Sequence, residues 1–470
     1  MKKLFLICAA ILLSLGVVGC KKNKNNPEGV EELTETYDGS EVTIVFYHTM
    51  GQNLREVLDA YIPKFNELYP NIHIEHEQVG SYDDVRNQIS TELTAGEGPN
   101  IAYCYPDHVA MYNDASAVQT LDAFINSTLE VSRGDGSVEI TGLTAEQKAD
   151  FIPGYYAEGA AFGDGKMYSL PFSKSTEVLY YNKTFFEQHN IPVPTHWFST
   201  DANDTTSLEA VCKRIKEIDS KSIPLGYDSE SNLFITMCEQ LGSAYTSATG
   251  DHFLFNNDVN KSFTRQFRSW YQAGLMTTQE LLGSYTSSLF TSTTDPRSYM
   301  SIGSSAGATH QRPTAVNNVY PFEVGIAPIP QMDINNPKVI SQGPSLCIFK
   351  KDNIQEVYAS WLFVKFLTTN VELQARWSME SGYVPVLTSV ANEPAYAAWL
   401  AKANGTTQIA ALSAKQCLAQ VDYYFASPAF AGSSIAREQV GRLLTKIIAA
   451  EGDVVDAAFN EAIEVCKFFQ

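Results

Sequence analysis

From residue 41 onward, short runs that alternate apolar and polar side chains are interleaved with stretches of helical apolar spacing. Residues 41–48 (EVTIVFYH) predict a strand, and residues 53–68 an amphipathic helix that ends at Tyr69-Pro70. A strand over 71–79, a helix over 82–95 and a buried strand over 99–105 follow, with helical patterns at 109–113 and 119–126. This β-α-β-α-β order implies parallel strands joined by right-handed crossovers. Residues 134–142 read as a loop or a small excursion and 145–149 as the start of another helix. Beyond Trp197 the pattern is mostly helical (208–220, 233–241, 258–273, 278–282), with strands at 299–302, 323–328 and 345–349. Helices over 354–369 and 371–378, and a mostly helical stretch from 394 to 470, complete a chain without internal repeats.

One segment departs from simple alternation. Residues 165–197 read GKMYSLPFSKSTEVLYYNKTFFEQHNIPVPTHW, with two sheet-forming runs at 167–172 and 177–181 interrupted at Pro171. Asn182 has the chemistry of a helix cap, and Pro192 and Pro194 stop the helix that starts at Lys183 before Trp197.

The N-terminus carries an address. Lys2 and Lys3 precede an apolar run, residues 4–18, followed by Gly19-Cys20; the run is too short for an ordinary membrane span and fits a secretory leader. Residues 20–40 are polar and rich in Asn and Lys, which predicts a flexible tether. At 470 residues the chain is long enough for two substantial lobes, and 44% hydrophobic content with 11% aromatics is that of a globular protein. The formal charge of −20, two units more negative once Lys2 and Lys3 leave with the leader, argues against nucleic acid or an anionic membrane surface as partner. Six cysteines remain besides Cys8 and Cys20. Cys104 and Cys347 sit in apolar strands and read as buried thiols, whereas Cys212 with Cys238 and Cys417 with Cys466 are candidate bridges.

In open α/β sheets, polar loops beyond the carboxyl ends of strands bind ligands. Here those loops supply His48, then Ser81-Tyr82-Asp83, then Tyr105 with Asp107, and later Ser304-Ser305, Gly343-Pro344-Ser345 and Gly382-Tyr383. Hydroxyls, a few carboxyls and flat rings suit polyols, because hydroxyls both donate and accept while rings cover the apolar faces of a sugar. Enzyme signatures fare worse. Gly303-Ser304-Ser305-Ala306-Gly307 has the form of a hydrolase nucleophile elbow, yet the only histidine after it is His310, in the same element. His73, Glu75 and Glu77 face opposite to His76 on a strand, so no metal cluster forms there. No motif marks a metal, a cofactor or a nucleotide phosphate.

The 165–197 segment closely resembles the first interlobe crossing of the extracellular solute-binding proteins of ABC importers, in the branch that takes sugars, oligosaccharides and glycerol phosphates. Phe46-Tyr47-His48-Thr49-Met50, Tyr82 after a glycine, Tyr105, Pro171-Phe172-x-x-Ser175-Thr176, Gly343-x-Ser345 and Gly382-Tyr383-x-Pro385 carry the likeness. Those features point to the glycerol-3-phosphate members. The resemblance implies a two-lobe α/β fold of the type II periplasmic kind, each lobe a mainly parallel sheet flanked by helices. It implies crossings near 173–176, 325–330 and 382–385. Lobe one would hold 41–172 plus 330–382, and lobe two 176–325 plus 386–470. It further implies a lipoprotein leader over 1–19, a lipid on Cys20, and a non-enzymatic monomer at the bacterial envelope, outside the membrane or periplasmic. Its partners would be a small sugar or polyol and the transmembrane subunits of a permease. His48, Tyr82, Tyr105, Asp107, Ser175, Phe234, Ser304, Ser305, Gly343 and Tyr383 would line the ligand, Phe234 standing in for an absent tryptophan platform. The arginine that would face a phosphate near Phe430 is missing, and only Arg437 is close. A phosphate monoester normally calls for a guanidinium or a helix N-terminus, which ranks a neutral carbohydrate above glycerol phosphate. A secreted carbohydrate hydrolase is the alternative of another class.

Overall fold

The computed structural model describes residues 32–468, so Cys20, the leader and the first part of the tether lie outside the described residues. Fourteen strands form two main sheets and one small hairpin: β1 (Val42–His48), β2 (Ile72–Gln78), β3 (Ile101–Cys104), β4 (Glu130–Ser132), β5 (Val138–Ile140), β6 (Ser169–Pro171), β7 (Ser175–Asn182), β8 (Leu225–Tyr227), β9 (Met276–Thr278), β10 (Met300–Ser304), β11 (Val324–Ala327), β12 (Val339–Gln342), β13 (Ser345–Ile348) and β14 (Tyr424–Phe425).

The first sheet has the order β2-β1-β3-β13-β6, and the second runs β14-β12-β7-β10-β8-β9 with β11 also on β7. Neither is mainly parallel. β1 pairs in parallel with β2 and β3, but β13 runs against both β3 and β6. In the second sheet the long β7 runs against β10, β11 and β12. The cause is connectivity: a chain that leaves one lobe and returns from the other re-enters the sheet in the opposite direction.

Three crossings join the lobes, and the second lies later than the sequence suggests. β11 and β12 occupy successive stretches of the same edge of β7, so the chain stays on the second sheet through Gln342 and crosses at Gly343-Pro344. The first crossing is Ser173-Lys174, between β6 and β7. The third follows the helix Val371–Ser381, where Val384 bridges Lys174 and Leu387 bridges Phe151. The backbones meet closely here: Ser173 N donates to Pro344 O (3.1 Å) and Val384 N to Lys174 O (2.6 Å). Gly343 has φ +89°, and a Cβ there would sit 2.1 Å from Ser173 O. Only glycine fits both the left-handed turn and the approach of the neighbouring strand.

Helices cover the sheets because their apolar faces find no other partner. Trp361, Phe363 and Leu367 of the helix Ile354–Thr369 are buried against the first sheet, and Trp361 Nε1 donates to Thr141 O at 2.7 Å. In the second lobe Trp197, Phe267 and Trp270 pack edge to face. Asn182 caps its helix as expected, its Oδ1 accepting from Phe185 N at 2.9 Å. The tether ends earlier than residue 40: Tyr37 is buried against Tyr69, and Thr36 Oγ1 lies 2.6 Å from Thr141 Oγ1. An aromatic ring and a hydroxyl in a polar run are enough to dock it. The span 119–126 is a single helical turn, Asp122–Ile125, and the loop or excursion at 134–142 is the second half of the β4-β5 hairpin. Cys104, Cys212, Cys238, Cys347, Cys417 and Cys466 are all buried free thiols, so neither candidate bridge forms. Cys104 Sγ lies 3.4 Å from Cys347 Sγ, and burial pushes the Cys212 and Cys238 thiols up. Among the described residues no helix is long and apolar enough to cross a membrane.

Candidate ligand-binding cleft

Between the two sheets lies a cavity of about 970 Å³ whose walls come from both lobes and whose floor is the crossings. On the first-lobe side, Tyr82 opens the helix Tyr82–Thr94. The preceding Ser81 forms a capping box: its Oγ accepts from Asp84 N (3.3 Å), and Asp84 Oδ2 accepts from Ser81 N (2.7 Å). This fixes the direction in which the Tyr82 ring leaves the helix. The ring stands edge-on to Tyr105 at 4.8 Å between centroids, and its hydroxyl lies 3.3 Å from that of Tyr383. Tyr105 is the N-cap position of the helix Pro106–Asp114, which aims Asp107 into the cavity from its first turn. Burial pushes the Tyr82 and Tyr105 phenols up, so both remain neutral hydrogen-bonding groups.

The second-lobe wall comes from residues 228–231, Ile235, Tyr245, residues 426–429 and one face of the helix Ser433–Ala449. Arg437 on that helix reaches the cavity and is held from behind. Its Nη2 donates to Asn232 Oδ1, and Asn232 Nδ2 donates to Glu177 Oε1 at 3.0 Å. Tyr227 OH donates to the other Glu177 oxygen at 2.5 Å. Burial pushes the Glu177 carboxyl up to about 7, against the pull of those two donors. Asp228, at the end of β8, accepts from Thr286 N (2.7 Å) and Thr286 Oγ1 (2.6 Å). The floor is Ser341, Gly343 and Glu158. The cleft therefore offers rings, hydroxyls and carboxylates from two bodies to one solute.

Of the residues singled out from sequence, Tyr82, Tyr105, Asp107 and Gly343 stand on the cavity wall, and Tyr383 touches it through Tyr82. Five do not. His48 is fully buried beneath the first sheet's carboxyl edge, its Nδ1 accepting from Met50 N (3.1 Å) and its Nε2 lying 2.9 Å from His76 Nδ1. Phe234 is fully buried in the lobe-two core with Phe263 and Phe459, because its helix turns that face inward. Ser304 accepts from Ala306 N in its own turn, and Ser305 Oγ accepts from Thr176 N (3.1 Å). Ser304 thus closes its own turn and Ser305 ties that turn to the start of β7, and neither lines the cavity. Ser175 is buried at the start of β7, paired with Gln342 behind the crossing.

Arg86, Glu158, Asp228, Tyr245 and Arg437 were not among the selected residues. Asp228 follows a strand of only three residues, too short to show a period. Glu158 ends a six-residue helix with no motif, and Arg437 lies in the second turn of a 17-residue helix, where sequence gives no direction.

Comparison with known proteins agrees with this geometry. Residues 60–404 match the family described as bacterial extracellular solute-binding protein. The chain is 22% identical over 371 residues to a maltotriose-binding protein of Pyrococcus abyssi, covering 75% of this chain and 68% of that one. It is 27% identical over 146 residues to the sn-glycerol-3-phosphate-binding periplasmic protein of Salmonella typhimurium, over 31% of this chain and 30% of that protein. Among solved structures, the cyclic α-maltosyl-1,6-maltose-binding protein of Arthrobacter globiformis superposes with a TM-score of 0.67 at 20% identity, over 92% of this chain and 99% of that one. At that identity the superposition establishes the two-lobe fold.

Proposed function

The chain belongs to the bacterial extracellular solute-binding proteins, and on that premise we propose that it captures a neutral carbohydrate, an oligosaccharide in preference to a single sugar, and delivers it unchanged to an ABC permease. The observation that carries this reading is the cavity itself. At about 970 Å³ it stands at the upper end of ordinary ligand sites, and two edge-packed tyrosines share its wall with carboxylates and serines. Rings cover the apolar faces of pyranoses, and the polar groups take their hydroxyls. Tyr82, Tyr105 and Asp107 would contact the ligand from lobe one, with Gly343 beneath it and Tyr383 at the rim.

A second reading, glycerol phosphate or a glycerophosphodiester, is favoured by one observation: Arg86 and Arg437 both reach the cavity. Against it, Arg86 is paired with Asp83 at 3.0 Å, and Arg437 is bound to Asn232. A thermal-shift screen separates the two. Linear and cyclic malto-oligosaccharides are expected to raise the melting temperature by mass action, by about 2.7 kcal/mol of stability at a hundredfold excess over Kd. A rise with glycerol-3-phosphate and none with any glycan would reject the carbohydrate reading. Turnover of a labelled oligosaccharide in the same samples would make the protein a hydrolase.

In this reading the chain is a monomer held at the envelope by an acylated Cys20. A Cys20→Ser variant is expected to leave the membrane fraction; if it sediments with membranes like the parent, the anchor lies elsewhere.

A further inference from the structure

Glu158 and Lys174 form an ion pair at the point where the three crossings meet, with 3% and 0% of their side chains exposed. Lys174 belongs to the first crossing. Its Nζ also donates to Gly343 O in the second (2.8 Å), and its carbonyl accepts from Val384 N in the third (2.6 Å). Glu158 closes the knot from the other side. Ser345 Oγ donates to Oε1 (3.4 Å) and Ser341 Oγ to Oε2 (3.0 Å), so the carboxylate holds a residue two positions before the Gly343-Pro344 crossing and the residue just after it. Trp377 Nε1, donating to Ser173 Oγ at 2.7 Å, pins the first crossing to the first lobe.

A buried pair of this kind is weak ground for stability, because desolvation offsets much of its attraction. Two apolar side chains would pack as well, so a role in geometry accounts for it better. The accounting of acceptor sites adds a second point. A carboxylate has about four lone-pair positions. Lys174 and Ser345 use those of Oε1 and Ser341 uses one of Oε2, which leaves one acceptor position on Oε2. Glu158 lines the cavity and Lys174 does not. The open position thus belongs to the only member of the pair that a ligand can reach.

We propose that Glu158 is the residue through which the cleft's occupant acts on the hinge: it clasps the first two crossings through Lys174, Ser341 and Ser345, the third resting on the Lys174 carbonyl, and its free Oε2 position accepts a hydroxyl from the bound solute. This rests on the hydroxyl-rich ligand proposed above and adds where that ligand is sensed. A solute that donates to Oε2 bonds to the group that fixes the relative path of the crossings, so occupancy and hinge angle become one equilibrium. A ligand with only acceptors at that end would meet a carboxylate with nothing to give it, which makes Glu158 a selector for hydroxyl donors as well.

The test compares wild type, K174M and E158Q/K174M. K174M leaves Glu158 buried and unpaired and is expected to lower stability strongly, to the point of not folding. E158Q/K174M removes both charges and is expected to recover the wild-type denaturation midpoint. In ligand-free protein the double variant should nevertheless exchange the amides of Ser173 and Val384 at least tenfold faster than wild type, because the tie between the crossings is gone. Wild-type protection at those amides in the double variant would overturn the clasp. With maltotriose as probe, the double variant is expected to bind about tenfold more weakly, a charged acceptor having become a neutral one. Equal affinity in a double variant of normal stability would overturn the ligand contact. If wild type binds neither maltotriose nor any longer glycan, the carbohydrate reading fails on its own, and the exchange measurement alone upholds or overturns the clasp.

Discussion

Two buried titratable residues, one in each lobe, pull stability in opposite directions with pH. Glu177 sits among the second-lobe strands with its carboxyl pushed up to about 7 by burial. In the folded chain it keeps a proton that the unfolded chain, titrating near 4.5, has already lost. Its contribution is therefore complete below about 4.5 and is lost as pH rises through about 7, a change of roughly 3 kcal/mol at most. His48 behaves in the reverse sense. Burial, then His76 and Arg55, lower it to about 3. Below 6.5 the unfolded chain takes up a proton that the folded chain refuses, so stability falls as pH drops from 6.5 toward 3. Between pH 4.5 and 6.5 the two slopes oppose each other and flatten the profile. Glu177→Gln turns one acceptor oxygen beside Tyr227 and Asn232 into an amide donor, which adds an offset that does not vary with pH. Relative to wild type, however, the variant should gain roughly 3 kcal/mol as pH rises from 4.5 to 7.5. Urea midpoints across that range check this, and parallel profiles for the two proteins would show that Glu177 titrates normally.

At the scale of elements, what could be read in the sequence depended on length. β1, β2 and the helix Gln52–Leu68 each run long enough for an apolar period to repeat, and they stand where the pattern put them; the helix Ile354–Thr369 also stands in place, but it is buried on nearly every face, so its length and apolar content marked it and not a period. β8, β9 and β14 are two or three residues long; no period fits, and they exist because neighbouring strands offer them a ladder. The same limit governed the cleft. Tyr82 and Tyr105 were legible because each follows a strand and opens a helix, a placement that fixes where the side chain goes. His48 also follows a strand, but its imidazole finds partners inward, in Met50 N and His76. Ser304 and Ser305 were misread because a serine after a strand can serve a ligand or a backbone amide: Ser304 accepts from the turn that follows, and Ser305 from Thr176 N on the neighbouring strand. The shift of the second crossing from 325–330 to Gly343 has a single cause. β7 is eight residues long, and its edge has room for β11 and β12 in succession. Strand length in one element thus decided where the chain could leave the lobe.

For the whole molecule the question is how a cavity between two bodies becomes a selective receptor. Apart from the crossings, a polar contact spans the mouth: Arg86 Nη1 of the first lobe donates to Ser434 Oγ of the second at 3.4 Å. Both residues also line the cavity, and Arg86 is about three-quarters buried at its side chain. A contact of this length and exposure contributes no more than about 1 kcal/mol. That is enough to bias a hinge whose states differ by little, and too little to hold it shut without a ligand. Apparent affinity scales with the fraction of molecules already in the binding form, so weakening the contact should weaken binding without touching the ligand's own hydrogen bonds. The expected result is a coupling of about 1 kcal/mol between Arg86→Ala and Ser434→Ala in ligand affinity, read by a double-mutant cycle. The cycle is needed because each single change also removes a wall atom, and only the coupling isolates their contact. Small-angle scattering supplies the structural half. A folded chain of this size has a radius of gyration of about 22 Å by the usual scaling. Saturating ligand should reduce the measured value in wild type, and the double variant should begin from a larger value and reach the same liganded one. Zero coupling together with scattering that ligand leaves unchanged would mean that the two lobes form one rigid body, and that selection happens in the cavity alone.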